Sequence, residues 1–154
     1  MKIIKNTLYL EKEERFINLN NVIMITKICQ GDRSKIAFNF ENVVSQKNSA
    51  DGTLIPDFHY IFGNEREINK TFVELASGLK NSKFVEINSA NGYRLVNPSK
   101  INSFFVDKEK GSLYLNFNSS ISTFSDFLGT MSVKCIVDED NTEEIVNKII
   151  EYIS

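Results

Sequence analysis

The chain predicts an α+β fold made of two tandem β4α repeats, each a small, curved antiparallel sheet covered by one helix. Three observations carry that expectation. First, phrases recur about 77 residues apart, half the length of the 154-residue chain. Ile17-Asn18-Leu19-Asn20-Asn21-Val22 returns as Val96-Asn97-Pro98-Ser99-Lys100-Ile101, and Ile36-Ala37-Phe38-Asn39-Phe40 returns as Leu113-Tyr114-Leu115-Asn116-Phe117. A fixed period of this kind is the signature of a copied structural unit. Second, apolar residues alternate with polar ones in short runs, the period of half-buried strands. Third, two segments open with Asn-x-x-Glu-Ile, at Asn64 to Ile68 and at Asn141 to Ile145, before an apolar stripe of helical period.

In chain order, Leu8 and Leu10 alternate, and Glu11-Lys12-Glu13-Glu14-Arg15 is a charged turn. Phe16 to Ile28 reads as one strand, bent at Asn20-Asn21. Ile36, Phe38 and Phe40 form a half-buried strand after Gly31-Asp32. Residues 41–57, rich in Ser, Asn, Asp and Gly, predict a long polar hairpin loop, and Phe58 to Phe62 a fourth strand. Asn64 is the expected N-cap of a helix, with Glu67 reaching back to the first-turn amides. Ile68, Phe72, Leu75 and Leu79 are its buried stripe, and Gly78 lies near its stop.

The second half follows the same order. Phe84 to Ile87 is a strand, Asn91-Gly92 a hairpin turn, and Tyr93 to Val106 the next strand. Lys108 to Gly111 turns the chain into Leu113, Leu115 and Phe117, and residues 118–130 replace the earlier loop. Val133 to Val137 is the last strand. Asn141 and Glu144 are expected to cap a final helix with the stripe Ile145, Ile149 and Tyr152 or Ile153. The units are thus 1–80 and 81–154. Each has too thin a core to stand alone, so the two are expected to pack together as one compact unit.

Composition narrows the function classes. The 42% apolar and 25% charged fractions are those of an ordinary globular protein. A net charge of −2 gives no general attraction to nucleic acid. Two distant cysteines, Cys29 and Cys135, lack metal-binding or disulfide-framework spacing, and Cys135 reads as a buried thiol among Val133 and Val137. Met1 to Asn6 is too polar for a signal peptide, and no apolar run approaches the ~18 residues of a membrane span, so the expected location is the cytoplasm. Abundant Asn, Ile, Lys and Phe, with Lys far above Arg, is usage associated with AT-rich bacterial and phage genomes.

Residues 84–153 carry Asn91-Gly92, then Leu95-Val96-Asn97 with Ile101 and Phe104, then Leu113 to Phe117, then Glu143-Glu144-Ile145 to Ile150. On those residues the second half resembles the short bacterial FlbD-like family, found beside flagellar genes. The resemblance implies a small curved sheet closed by a helix; this chain departs from it in carrying two copies and long loops. Phe16-Ile17-Asn18-Leu19-Asn20-Asn21-Val22 is similar to a phrase of LytTR-type DNA-binding domains. Those would need basic loop residues, whereas the two long loops here offer only Lys47.

Candidate chemistry is sparse. His59, the single histidine, lies two residues from Asp57, on the same strand face, and the two form a possible acid–base couple. A lone histidine at a strand start is more often a partly exposed polar residue. Asp138-Glu139-Asp140 with Glu143 and Glu144 is an acidic cluster, of the kind a helix dipole favours. In the second loop, Phe124, Phe127 and Leu128 stand at helix-like spacing among Ser and Thr residues. They either plug the core as a short amphipathic turn or present a binding surface. No phosphate loop, nucleophile motif or metal spacing is found, so no cofactor or metal is expected. The expected function is a non-enzymatic, macromolecule-binding, protein-interaction or inhibitory protein of bacterial or phage origin. It would meet a protein partner, or copies of itself, through edge strands and the loop at 118–130. The rivals are a small-ligand site between the repeats and a LytTR-like DNA-binding protein.

Overall fold

A computed structural model describes residues 1–45, 54–90, 92–118 and 130–154. The chain is mixed α+β, with antiparallel sheets and two helices. It opens with a meander of β1 (Lys2–Ile4), β2 (Thr7–Leu10) and β3 (Arg15–Asn18). Alternation sends Leu8, Leu10 and Ile17 inward, while Tyr9 and Phe16 stack on the outer face with centroids 4.5 Å apart. Between β2 and β3, Glu11–Glu13 makes one 3-10 turn and Glu14 takes a left-handed φ of 48°.

Asn18 then interrupts the expected strand. Its side-chain oxygen accepts the Asn20 amide at 3.0 Å and curls Leu19–Asn21 into a 3-10 turn before β4 (Val22–Ile28). The same device recurs at Asn97, whose oxygen accepts the Ser99 amide at 3.2 Å between β8 (Gly92–Val96) and β9 (Ile101–Asp107). Pro98 supports that turn, since it has no amide to lose. Two expected strands, 16–28 and 93–106, are therefore four. Among the described residues, six strands precede the first helix and five lie between the helices, not four and four.

The polar loop expected over 41–57 is strand at both of its described ends. β5 (Ser34–Ser45) and β6 (Leu54–Gly63) extend into it past a register shift between Asn39 and Val43, as suits β-branched Val43 and Val44. α1 (Glu65–Leu79) begins as expected: Asn64 accepts the Glu67 amide at 2.9 Å, and Glu67 accepts the Asn64 amide at 3.3 Å. Its stripe Ile68, Phe72, Leu75 and Leu79 is buried. Gly78 is a point of close approach, since a Cβ there would lie 2.7 Å from the Ile3 methyl of β1.

β7 (Val85–Ser89) pairs with β8 as a tight hairpin in which Ser89 faces Gly92, whose φ of +144° suits only glycine. β10 (Ser112–Asn118) and β11 (Thr130–Ile136) follow, then α2 (Glu139–Ile153). The start of α2 corrects the expected cap. Asp138, not Asn141, is the N-cap residue, and it makes no side-chain capping bond. The Asp138 carbonyl instead accepts the Thr142 amide at 3.0 Å and the Thr142 hydroxyl at 2.9 Å, while Glu139 and Asp140 supply negative charge to the first turn. Ile145 and Ile149 are buried, but Tyr152 and Ile153 are 45% and 53% exposed, so the stripe of α2 ends early.

The described strands form three sheets: β1-β2-β3, β11-β10-β9, and a five-stranded sheet in the order β6-β5-β4-β8-β7. The last crosses from one half of the chain to the other. β4 pairs antiparallel with β8 in the register Met24 to Val96, Ile25 to Leu95, Thr26 to Arg94 and Lys27 to Tyr93. Two apolar cores lie on either side of this joint. One gathers Leu8, Ile17, Ile25, Phe38, Phe72 and Leu75 under α1, and takes in Phe84 and Leu95 from the second half. The other gathers Ile87, Val96, Leu113, Phe117, Cys135 and Ile149 under α2, and takes in Ile23 and Met24 from the first. Each exchanged side chain is worth roughly 1.5–3 kcal/mol of apolar burial, so the halves brace one another. Among the described residues, no helix is long and apolar enough to cross a membrane.

Candidate interaction surface

The joint between the halves sets the standard for a good strand contact in this chain. Beyond the ladder, Asn97 donates its backbone amide to the Ile23 carbonyl at 2.9 Å and its side-chain amide to the Val22 carbonyl at 3.0 Å. Lys100 reaches Glu41 across it at 2.8 Å, and Lys27, held by Asn69 of its own half at 2.8 Å, lies over the Tyr93 ring of the other. Both edges that meet there are apolar: Ile23, Met24, Ile25, Leu95 and Val96 are all at most 5% exposed.

Other strand edges have no neighbour among the described strands: β3, β9 and β6 each end a sheet. No described strand pairs with that side of any of the three, and a sheet edge is where another strand can add. Each also carries a large apolar side chain outward. Phe16 on β3 is 69% exposed, Phe105 on β9 is 54%, and Phe62 on β6 is 70%. Ring contacts lead to them, across strands for Phe16 and Phe105 and along β6 for Phe62. Tyr9 stacks on Phe16, Tyr114 stacks on Phe105 at 4.6 Å, and Tyr60 leans on Phe62 at 5.7 Å. Lys134 lies over Tyr114 and Lys35 over Tyr60, adding cation–π contacts.

These aromatics were not among the residues singled out from sequence, yet the signal was present. In Tyr60-Ile61-Phe62 a strand's period of two sends Ile61 inward and the two rings outward. Phe16 beside the buried Ile17 is the same case.

The expected site residues fall differently. Phe124, Phe127 and Leu128 lie outside the described residues. Asp57 sits on β6 within the register shift, and its side chain is outside the described part. His59, opposite Phe38 on β5, turns its Nε2 to Glu13 at 2.8 Å, a partner 46 residues away that the local pattern gave no reason to expect. The contact ties β6 to the turn between β2 and β3. In the acidic cluster, Lys148 holds the Glu144 carboxyl below its ordinary range through a hydrogen bond and its charge. Among the described residues, no three His, Cys, Asp or Glu side chains come together as metal ligands. Burial pushes the Cys135 thiol above its usual range, whereas Cys29 is exposed.

Among the described residues, the better-formed surface grooves are each lined from one half of the chain. One of 380 Å³ lies between the Glu11–Glu13 turn, Phe62 and α1, and one of 480 Å³ lies between β7 and α2. Two more lie beside β9 and α2, and beside β1 and α1. No family model, curated protein or solved structure matches the chain.

Proposed function

We propose that the protein is a non-enzymatic binding protein built by duplication, and that it meets a protein partner through the outer edges of its sheets. The observation that carries this reading is the coincidence, on β3, β6 and β9, of an open strand edge with an exposed aromatic side chain. Open edges supply main-chain hydrogen bonds for an added strand, and the aromatics supply apolar area beside it. Duplication is supported by the order of elements, since five strands and a helix run from β2 to α1 and again from β7 to α2. It is supported further by the matched Asn18 and Asn97 turns. The FlbD-like resemblance of residues 84–153 belongs to the same reading.

The test is capture with the full chain as bait, comparing wild type with F16K, F62K and F105K. These exposed positions leave both cores intact. A protein bound by wild type and lost with one of the three supports the reading. Capture insensitive to all three overturns it, as does a salt-sensitive shift of duplex DNA or stabilisation by a small metabolite without any protein captured.

A further inference from the structure

Under duplication, the β4–β8 joint has a counterpart whose two sides lie apart. β9 stands where β4 stands, as third strand of its unit, and β3 stands where β8 stands, as second strand. β4 and β8 pair with each other; among the described strands β9 pairs with β10 alone and β3 with β2 alone. Among the described strands, one chain therefore holds one complete joint and the two unjoined sides of another.

The side chains follow the same logic. Leu95 is sealed in the core under α1, while its counterpart Phe16 is 69% exposed. Asn97 has its side-chain nitrogen on the Val22 carbonyl. Its counterpart Asn18 shares the turn geometry, but its side-chain nitrogen donates to no group among the described residues. Leu75 is buried in the cluster that takes in Leu95 and Phe84, while Tyr152, in the corresponding place on α2, is 45% exposed.

We infer that these edges join between copies of this chain, β9 of one against β3 of the next, head to tail. The inference rests on the duplication and edge-binding reading above, and names a second copy as the occupant. The internal joint dictates the register. Ser103 faces Ile17, Phe104 faces Phe16, and Phe105 faces Arg15, as Met24, Ile25 and Thr26 face Val96, Leu95 and Arg94. Phe16 then covers the core under α2 beside Phe104, which already packs at its margin. Asn102 and Ser103 replace the apolar Ile23 and Met24, so the joint between copies is weaker than the internal one and forms with rising concentration. Because two different edges meet, the contact is heterologous and generates a ring or an open chain of copies.

The experiment uses the full chain with Cys29→Ser, which removes the exposed thiol, and mild oxidation. R15C and F105C face each other in the inferred register, within the Cα separation a disulfide spans. The double variant R15C/F105C is expected to give a ladder of multimers on a non-reducing gel. Mixing the two single variants is expected to give dimers only, and each alone no product. Sedimentation of the wild type is expected to show growth with concentration. A chain monomeric into the millimolar range, a dimer from F105C alone, or equal linking by the out-of-register N18C/F105C pair overturns the inference. A monomeric chain that still captures a protein partner lost with F16K, F62K or F105K sinks the self-joining alone and leaves the broader reading standing.

Discussion

Asn97 donates its side-chain amide to the carbonyl of Val22 at 3.0 Å, across 75 residues of chain. The bond is buried, with Asn97 3% exposed, and its side-chain oxygen is already used by Ser99. We expect N97A to lose about 1–3 kcal/mol, the cost of stripping a buried polar partnership. N18A removes the same local turn bond at an exposed position and should lose no more than about 1 kcal/mol. Urea unfolding of the pair measures the difference; equal losses would mean the Val22 bond contributes nothing to the joint.

Leu95 and Phe16 offer a sharper contrast. L95A opens a cavity in the core under α1 and is expected to cost about 2–5 kcal/mol. F16A, at low protein concentration, forfeits only the stack on Tyr9, about 1 kcal/mol or less. A small effect of L95A would show that the second half does not seal the first core.

The two helix starts differ in how they are capped. N64A removes a reciprocal capping pair and should cost about 1 kcal/mol. D138A removes charge near the helix dipole but no side-chain capping bond, and is expected to cost about 0.5 kcal/mol. Denaturant midpoints of both variants settle the order, and a larger loss at Asp138 would contradict the geometry of α2.

The two thiols should behave as distinct populations. A thiol reagent is expected to label Cys29 in the folded protein and Cys135 only after unfolding. Folded Cys135 holds its proton more tightly than the unfolded chain does. Its contribution to stability is therefore whole below the ordinary thiol pKa of about 8.5 and is lost as pH rises beyond it. Rapid labelling of both thiols in the native state would refute this burial.

His59 and Glu13 are partly screened by solvent, at 15% and 34% side-chain exposure. A double-mutant cycle of H59A and E13A is expected to return a coupling of about 0.2–1 kcal/mol. Zero coupling would remove the contact from the list of ties between β6 and the turn at Glu11–Glu13.

Local chemistry alone determined much of this protein. The capping pair at Asn64 and Glu67, the stripe of α1, the alternation of Leu113, Leu115 and Phe117, and the tight turn at Gly92 were all legible, because each depends on neighbours a few residues away. The tertiary structure alone decided which strands lie side by side. A period of two says that a strand has an inner and an outer face, but not which edge finds a neighbour. That choice rests on closing long stretches of chain so that Leu95 enters one core while Ile23 and Met24 enter the other. For the same reason His59 was visible as a polar residue, but its partner Glu13 was not. The outward direction of Phe16 was readable from the inward Ile17 beside it, and only the folded arrangement leaves its strand at the end of a sheet.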